Sequence, residues 1–462
     1  MGNQQRSLES VFKAYDVRGI VPEQLDAVNC RAIGWAFARF SGSPKVLVAR
    51  DMRKSGEELS GAFAAGARAA GSEVVDLGLA STDLLYFASG RLDAPAAMFT
   101  ASHNPAQYNG IKFCLAGAKP VGEDTGLSEI RSLAEKALAD GSSEAEPVGG
   151  TVSRDMLADY AEHVRSFVDL DRLRPLRVVA DVANGMGGLV VPAVFSGLPF
   201  ELDILFPELD GTFPNHPADP IQPANLLDLK ARVLELHADV GLAFDGDADR
   251  VFLVDERAEP VSGSVTTALV AKAMLRKYPG AVILHNLICS KAVPETIIEQ
   301  GGRPIRTRVG HSFIKQVMSD TGAVFGGEHS GHYYFRDNYR ADSGLIAALV
   351  VLEVMSESGA PLSALVEPLQ KYAASGELNT EVDDPSAAVE AVAGLLAAEG
   401  VTFDTTDGLT VEFESWWFNL RPSNTEPLLR LNVEALNREE CDQRVAEVLA
   451  LVRRAGSTGE AG

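Results

Sequence analysis

Short apolar runs alternate with polar turns and Ala/Leu-rich helical stretches along most of the chain. Lys45-Val46-Leu47-Val48-Ala49-Arg50, Arg177-Val178-Val179-Ala180-Asp181 and Ala281-Val282-Ile283-Leu284 are such runs. Helix-period sequence follows each of them, as Leu59 to Ala70 follows the first, so the pattern predicts alternating βα units and an α/β chain. The three runs are widely spaced, which predicts three related α/β domains in tandem. Two further apolar runs, Ala96-Ala97-Met98-Phe99 and Val240 to Phe244, lead into the polar turns Thr100-Ala101-Ser102-His103-Asn104-Pro105 and Asp245-Gly246-Asp247-Ala248-Asp249-Arg250. Turns at the ends of rigid strands are where reactive groups are usually mounted.

The polar stretches between these units place the domain cuts. Asp140 to Gly150 is small, polar and punctuated by Gly and Pro, as a junction is, and it closes a first domain at residues 1–150. The strand Val251 to Val254 gives way to the charged turn Asp255-Glu256-Arg257 and closes a second at 151–254. Ala374 to Asn379 separates a third, 255–370, from a C-terminal part, 371–462, with a strand near Gly408 to Phe413 and a helix from Arg438 to Arg454.

Composition narrows the chemistry. A chain of 462 residues with 46% hydrophobic content has several cores to fill. A net charge of −23 argues against general affinity for nucleic acid or anionic membranes, so an anionic ligand must be met by local cations. Cys30, Cys114, Cys289 and Cys441 form no C-x-x-C pair, which fits a reducing compartment. The first ten residues lack an apolar core and no run of about 18 apolar residues occurs, so a cytoplasmic protein without membrane spans is expected.

Seven segments carry candidate chemistry. Ser102 is either a turn hydroxyl bonded to its own backbone or a nucleophile, with His103 and Asn104 as donors beside it. Asp245, Asp247 and Asp249 can converge on one hard divalent cation, with Gly246 allowing the curl. An EF-hand is excluded, because Arg250 stands where that loop needs Gly and a strand follows. Gly326-Gly327-Glu328-His329-Ser330-Gly331-His332 offers acceptors and donors suited to sugar hydroxyls. Arg421-Pro422-Ser423-Asn424-Thr425-Glu426-Pro427, with Arg430, offers a cradle for a phosphate monoester. Arg18 lies at a Gly-terminated turn, and Lys112 sits between apolar neighbours, where desolvation would lower its pKa and suit it to acid or base work. Arg308-Val309-Gly310-His311-Ser312 is a weaker candidate of the same kind. Asn184-Gly185-Met186-Gly187-Gly188 lacks the last glycine of a dinucleotide fingerprint, and no P-loop occurs.

These motifs, in this order and spacing from Phe12 to Arg430, resemble those of the α-D-phosphohexomutase family, and within it the bacterial phosphomannomutase/phosphoglucomutase branch. The resemblance implies a heart-shaped, four-domain monomer, three related α/β domains and a smaller C-terminal α+β domain around a central cleft. It implies reversible phosphoryl transfer between O1 and O6 of a hexose through a hexose 1,6-bisphosphate. Ser102 is then the phosphorylated residue, and Asp245, Asp247 and Asp249 hold Mg²⁺ together with a phosphoserine oxygen. Arg18 and Arg250 flank that centre, Lys112 is the nearby acid or base, and His103 orients the phosphate or holds the turn. Glu328 and Ser330 read sugar hydroxyls, with His332 close by, and Arg421, Ser423, Asn424 and Thr425, with Arg430, grip the phosphate not being transferred. His329 stands where relatives carry Met, Gln or Glu. Ile288 takes a position where some relatives have Lys, so one phosphate contact is either lost or supplied by Lys291, and His311 then matters more for phosphate. The activity implied is mannose 1-/6-phosphate interconversion with action on glucose phosphates. The rivals are a phosphoglucosamine mutase, a non-catalytic phosphosugar-binding protein and a metal-dependent phosphatase.

Overall fold

The computed structural model describes residues 7–382, 384–422 and 428–458. Its strands form four sheets of seven, five, four and four strands. In the first, Lys45–Arg50 lies between Glu73–Leu79 and Ala96–Phe99, parallel to both, and Tyr108–Leu115 runs antiparallel beside Ala96–Phe99. The second repeats this order, with Arg177–Asp181 between Glu201–Leu205 and Val240–Phe244, and Val251–Asp255 antiparallel beyond. The third repeats it again, with Val282–Asn286 between Arg303–Thr307 and Phe325–Gly327, and Tyr333–Phe335 antiparallel beyond. The three apolar runs of the sequence are therefore the central parallel strands of three sheets of one topology. They read as continuous apolar runs because helices cover both faces of such sheets.

The fourth sheet is antiparallel throughout, in the order Ala373–Glu381, Leu428–Ala435, Trp416–Pro422, Leu409–Glu412. Its core of Phe418, Leu431, Val433, Val392 and Val448 is separate and includes the helix Pro385–Ala398. One larger core joins the first three units, running from Leu47 and Met98 through Val178 and Leu242 to Ile283 and Leu349. The helix Gly344–Ser358 is buried along nearly its whole length within it. Among the described residues no single helix is long and apolar enough to cross a membrane.

Two sheet edges depart from the sequence reading. Thr151–Ser153 pairs with Glu73–Leu79, so the first sheet continues past the cut at residue 150. Pro260–Val261 pairs with Val251–Asp255, so the second continues past Val254. Both added strands are very short and held by backbone pairing, and Thr151, Val152 and Ser153 are all exposed, so neither leaves an apolar pattern to read.

The first three units also meet at one buried carboxyl. Asp83, in the helix Thr82–Leu92, is fully buried and accepts hydrogen bonds from Ser81, from Tyr160 and from Ser343 Oγ at 2.8 Å, the last at the start of Gly344–Ser358. Burial pushes its pKa up from 3.8 to about 7, although the three hydroxyls work the other way. The folded chain therefore keeps a proton that the unfolded chain releases between these two values. Asp83's contribution to stability is complete below the unfolded value and is lost as pH rises through the folded one. Relative to Asp83→Asn, the parent protein should lose on the order of 4 kcal/mol of unfolding free energy between about pH 4 and 7 and change little above that. Urea titrations of the two proteins across that range measure the difference, and parallel curves would contradict the shift.

Candidate active site

The site is built, in each of the first three sheets, from the turn between the parallel strand beside the central one and the antiparallel strand that follows it. In the first, Ala96–Phe99 is buried and its chain continues into Ser102, which is 5% exposed and adopts φ +49°. Thr100 Oγ1, not Ser102's own hydroxyl, takes the Ser102 N–H at 2.9 Å, and Asn104 N–H closes the turn on Ala101 O at 2.9 Å. Ser102 Oγ is thus left to reach across to Asp245 Oδ2, at 2.8 Å. His103 Nδ1 lies 3.2 Å from Ser102 Oγ. Asn104 Oδ1 accepts from Arg18 Nη1 at 2.6 Å, and Arg18 is also paired with Asp16.

In the second sheet the buried strand Val240–Phe244 leads into Asp245, Asp247 and Asp249, each at most 1% exposed. Gly246 is required here, since a Cβ would come within 2.5 Å of the Ser102 carbonyl oxygen. Arg250 Nε donates to Asp245 Oδ2 at 2.9 Å, and Thr82 Oγ1 donates to Asp247 Oδ2 at 2.5 Å. Lys112 Nζ bridges Asp247 Oδ2 and Asp249 Oδ2 at 2.7 and 2.8 Å. Burial alone would lower the Lys112 pKa, as the sequence suggested, but Asp247 and Asp249 outweigh it and hold the ammonium well above its ordinary value. Burial pushes the Asp245 carboxyl up against the pull of Arg250, whereas for Asp247 the ammonium of Lys112 reverses the effect of burial and holds it below the carboxylate range.

The three carboxylates each offer an oxygen within 4.8 Å of the other two. Among the described residues, Asp247 Oδ1 and Asp249 Oδ1 are buried and have no hydrogen-bond donor. Buried acceptors of formal charge without donors are costly, and an all-oxygen set fits a hard divalent ion such as Mg²⁺. The strand Val251–Asp255 after the loop agrees with the rejection of an EF-hand.

In the third sheet the turn after Phe325–Gly327 bonds Glu328 N–H to His332 O at 3.0 Å, and His332 forms a β-bridge with Arg250, joining the second and third turns directly. Glu328 is 2% exposed and accepts from Tyr334 OH at 2.5 Å and Asn286 Nδ2 at 3.1 Å. His332 Nδ1 lies 2.8 Å from Asp342 Oδ2 and 3.8 Å from Asp249 Oδ1. Burial lowers its pKa, but Asp249 and Asp342 together raise it above the ordinary value. Ser330 is partly exposed on this turn. His329 points elsewhere, with Nδ1 2.9 Å from Ser264 Oγ, and lines a separate cavity of about 460 Å³ with Ile288, Ser290, Trp417 and Glu434.

The C-terminal sheet brings Arg421 and Arg430 opposite one another on adjacent strands. Glu377 pairs with both, at 2.9 Å to Arg421 Nη2 and 3.4 Å to Arg430 Nη1. Arg430 lines a cavity of about 560 Å³ together with Tyr15, Arg18, His103, Asn104 and Tyr108, so the first and last sheets face each other across it. Ser423, Asn424 and Thr425 lie outside the described residues, as does the side chain of His311, whose backbone opens the helix His311–Thr321. Lys291 does not line this cavity, because its Nζ donates to Phe413 O at 3.0 Å and its N–H to Glu434 Oε1 at 2.9 Å.

The structure adds residues that the sequence did not single out. Thr82 holds Asp247, Asp342 holds His332, and Arg53 lies directly behind the Ser102 turn. Arg53 carried a signal of the same kind as Ser102, since Asp51-Met52-Arg53 is a polar turn at the exit of the buried strand Lys45–Arg50.

Models of phosphoglucomutase/phosphomannomutase domains match the chain four times. The α/β/α domains I, II and III match residues 9–140, 158–259 and 262–372, and the C-terminal domain matches 377–451. The chain is 42% identical over 92% of its length to a protein of Xanthomonas campestris pv. campestris named Phosphohexose mutases, covering 94% of that protein. It is 38% identical, with the same coverage of 92% and 94%, to a phosphomannomutase of Salmonella montevideo. A crystal structure of a phosphoglucomutase/phosphomannomutase family protein from Burkholderia thailandensis superposes with a TM-score of 0.88 at 34% identity, covering 99% of both chains. The chain belongs to the phosphoglucomutase/phosphomannomutase family and is a phosphohexose mutase, an isomerase that works by phosphoryl transfer.

Proposed function

We propose that the chain interconverts mannose 1-phosphate and mannose 6-phosphate, also accepts the glucose phosphates, and carries the transferred group on Ser102. The observation that supports this most is the placement of one serine hydroxyl, in a left-handed turn, 2.8 Å from a carboxylate triad with two buried acceptors to spare. The similarity to a phosphomannomutase across nearly the whole chain favours mannose as the sugar.

In this reading Ser102 Oγ carries a phosphoryl group and a hexose monophosphate enters the cleft. The P–Oγ bond breaks as a bond forms from phosphorus to the free sugar hydroxyl, whose proton passes to His332. Asp342, bonded to Nδ1, orients that ring. Arg250 and Arg18 offer guanidinium groups to the transferring phosphoryl oxygens, and His103 steadies Ser102. As the P–Oγ bond breaks, Lys112, held charged by two carboxylates, gives a proton to Ser102 Oγ and takes it back when Ser102 is phosphorylated again. The bisphosphate then turns end for end, and Ser102 recovers the other phosphate. Arg421, Arg430, Ser423, Asn424 and Thr425 grip the phosphate at rest, while Glu328 and Ser330 read the sugar. Asp245, Asp247 and Asp249 would hold Mg²⁺, which when bound supplies charge stabilisation at the phosphorus.

Ser102→Ala should abolish mutase turnover, by at least about 10³-fold, while hexose phosphate binding measured by calorimetry stays near that of the parent. A variant that turns over at the parental rate would refute the phosphoserine. Asp247→Asn should lose most activity and respond weakly to added Mg²⁺; its Mg²⁺ titration against the parent's checks this, and full activity of the parent in chelator would contradict the triad's role. Rates on mannose, glucose and glucosamine 1-phosphates, each with Mg²⁺ and the matching 1,6-bisphosphate, decide the sugar. Mannose and glucose should be within reach of one another and glucosamine well behind, whereas a glucosamine preference would overturn the assignment.

A further inference from the structure

Arg53 touches none of the carboxylates of the triad, yet its side chain is 0% exposed and all five of its N–H bonds have acceptors. Nε donates to Asp51 Oδ2 at 3.1 Å. Nη1 donates to the carbonyls of Pro105 and Tyr108 at 2.8 and 2.9 Å, and Nη2 to those of Ser102 and Asn104 at 2.8 and 2.7 Å. Three carbonyls of the turn that carries Ser102, and one at the head of the strand that follows it, therefore converge on a single guanidinium. Asp51 fixes the guanidinium in turn, since it also accepts the Arg53 backbone N–H at 2.9 Å. From the second unit, Phe213 lies with its ring centroid 5.3 Å from the guanidinium carbon, and a Cβ on Gly211 would come within 2.6 Å of Arg53 Cα.

The turn has reason to need such a hold. Ser102 at φ +49° is in the left-handed region, which residues bearing a Cβ avoid. Its carbonyl is pinned between Arg53 Nη2, at 2.8 Å, and Gly246, where a Cβ would stand 2.5 Å away. With the carbonyl fixed, Oγ is left at 2.8 Å from Asp245 Oδ2. Arg53 has no N–H to spare for a ligand, so its effect on chemistry must pass through the turn.

We propose that Arg53 is a positioning residue for phosphoryl transfer: its guanidinium holds the Ser102 turn in the left-handed form that aims Oγ at the carboxylate triad. The proposal rests on Ser102 as the phosphorylated residue. Lysine cannot replace it, because a point-like ammonium with three donors cannot serve four carbonyls arranged around a planar fork. A displacement of about 1 Å in a reacting group costs on the order of 100-fold in rate.

The test compares the parent with Arg53→Lys in the presence of Mg²⁺ and hexose 1,6-bisphosphate. Turnover, KM for the hexose 1-phosphate, equilibrium binding of that phosphate, and the mass of the Ser102 peptide are read for both. The expected result is kcat lower by about 100-fold with KM and binding within about twofold, and slower appearance of phosphate on the Ser102 peptide. Free guanidinium ion should restore part of the activity of Arg53→Gly and leave the parent unimproved. A kcat for Arg53→Lys within about threefold of the parent's overturns the proposal. So does a loss of binding or of the folded state together with turnover, which makes Arg53 a residue of the general fold. A parent that turns over with no phosphate on the Ser102 peptide overturns the Ser102 reading, and the clamp with it.

Discussion

Three carboxylates with oxygens within 4.8 Å of one another, each at most 1% exposed, cannot be folded together unless their charge is met. Lys112 and Arg250 pair with them directly, yet among the described residues Asp247 Oδ1 and Asp249 Oδ1 still have no hydrogen-bond donor. Those unmet oxygens suit the loop to a hard divalent cation, whereas a closed salt-bridge cluster would not be suited to one. The same pairs also act as a seam, because Lys112 and Thr82 come from the first sheet's unit and the aspartates from the second's. The first two units therefore cannot separate without exposing those charges.

The site follows from repetition of one topology. In each of the first three sheets the chain leaves the parallel strand beside the central one, makes one turn, and returns antiparallel. Those three turns carry Ser102, the aspartates and Glu328 to His332. They are brought together by bonds between turns: Ser102 Oγ to Asp245, and Arg250 to His332 across a β-bridge. A repeated unit that presents the same turn three times places three different chemistries around one point, and sequence divergence within the turns then sets the role of each.

Legibility in the sequence tracked the range over which each interaction acts. Ser102 and the aspartates could be read because each group is a short contiguous motif straight after an apolar run, although the partners of Ser102 and Asp247 lie more than a hundred residues away. The central strands Lys45–Arg50, Arg177–Asp181 and Val282–Asn286 could be read because burial on both faces leaves continuous apolar runs. Lys112 was misread because its partners lie 135 and 137 residues away, and a lysine judged by its neighbours alone looks merely desolvated. Lys291 and His329 were placed by motif position, but backbone direction turns one to Phe413 and the other to Ser264. Arg53 stood at a readable strand exit, but its role could not be read, because its acceptors are mostly main-chain carbonyls, which no side-chain pattern encodes.

An acidic chain can still serve an anionic substrate because net charge and local charge act over different distances. The formal charge of −23 is screened beyond roughly 8 Å at physiological salt, so a phosphate in the cleft responds mainly to the groups that touch it. Among the described residues, Arg18 Nε, Arg250 Nη2, Arg421 Nε and Arg430 Nε are buried without acceptors. Glu377 holds Arg421 and Arg430 beside each other while leaving those N–H bonds unmet. The carboxylates of this protein therefore do more than set its overall charge: Glu377, Asp16 and Asp245 each fix a guanidinium in place and leave part of it unsatisfied. Arg53 is the counter-case, a guanidinium satisfied at every N–H, and that difference separates a cation that meets an anion from one that holds the turn.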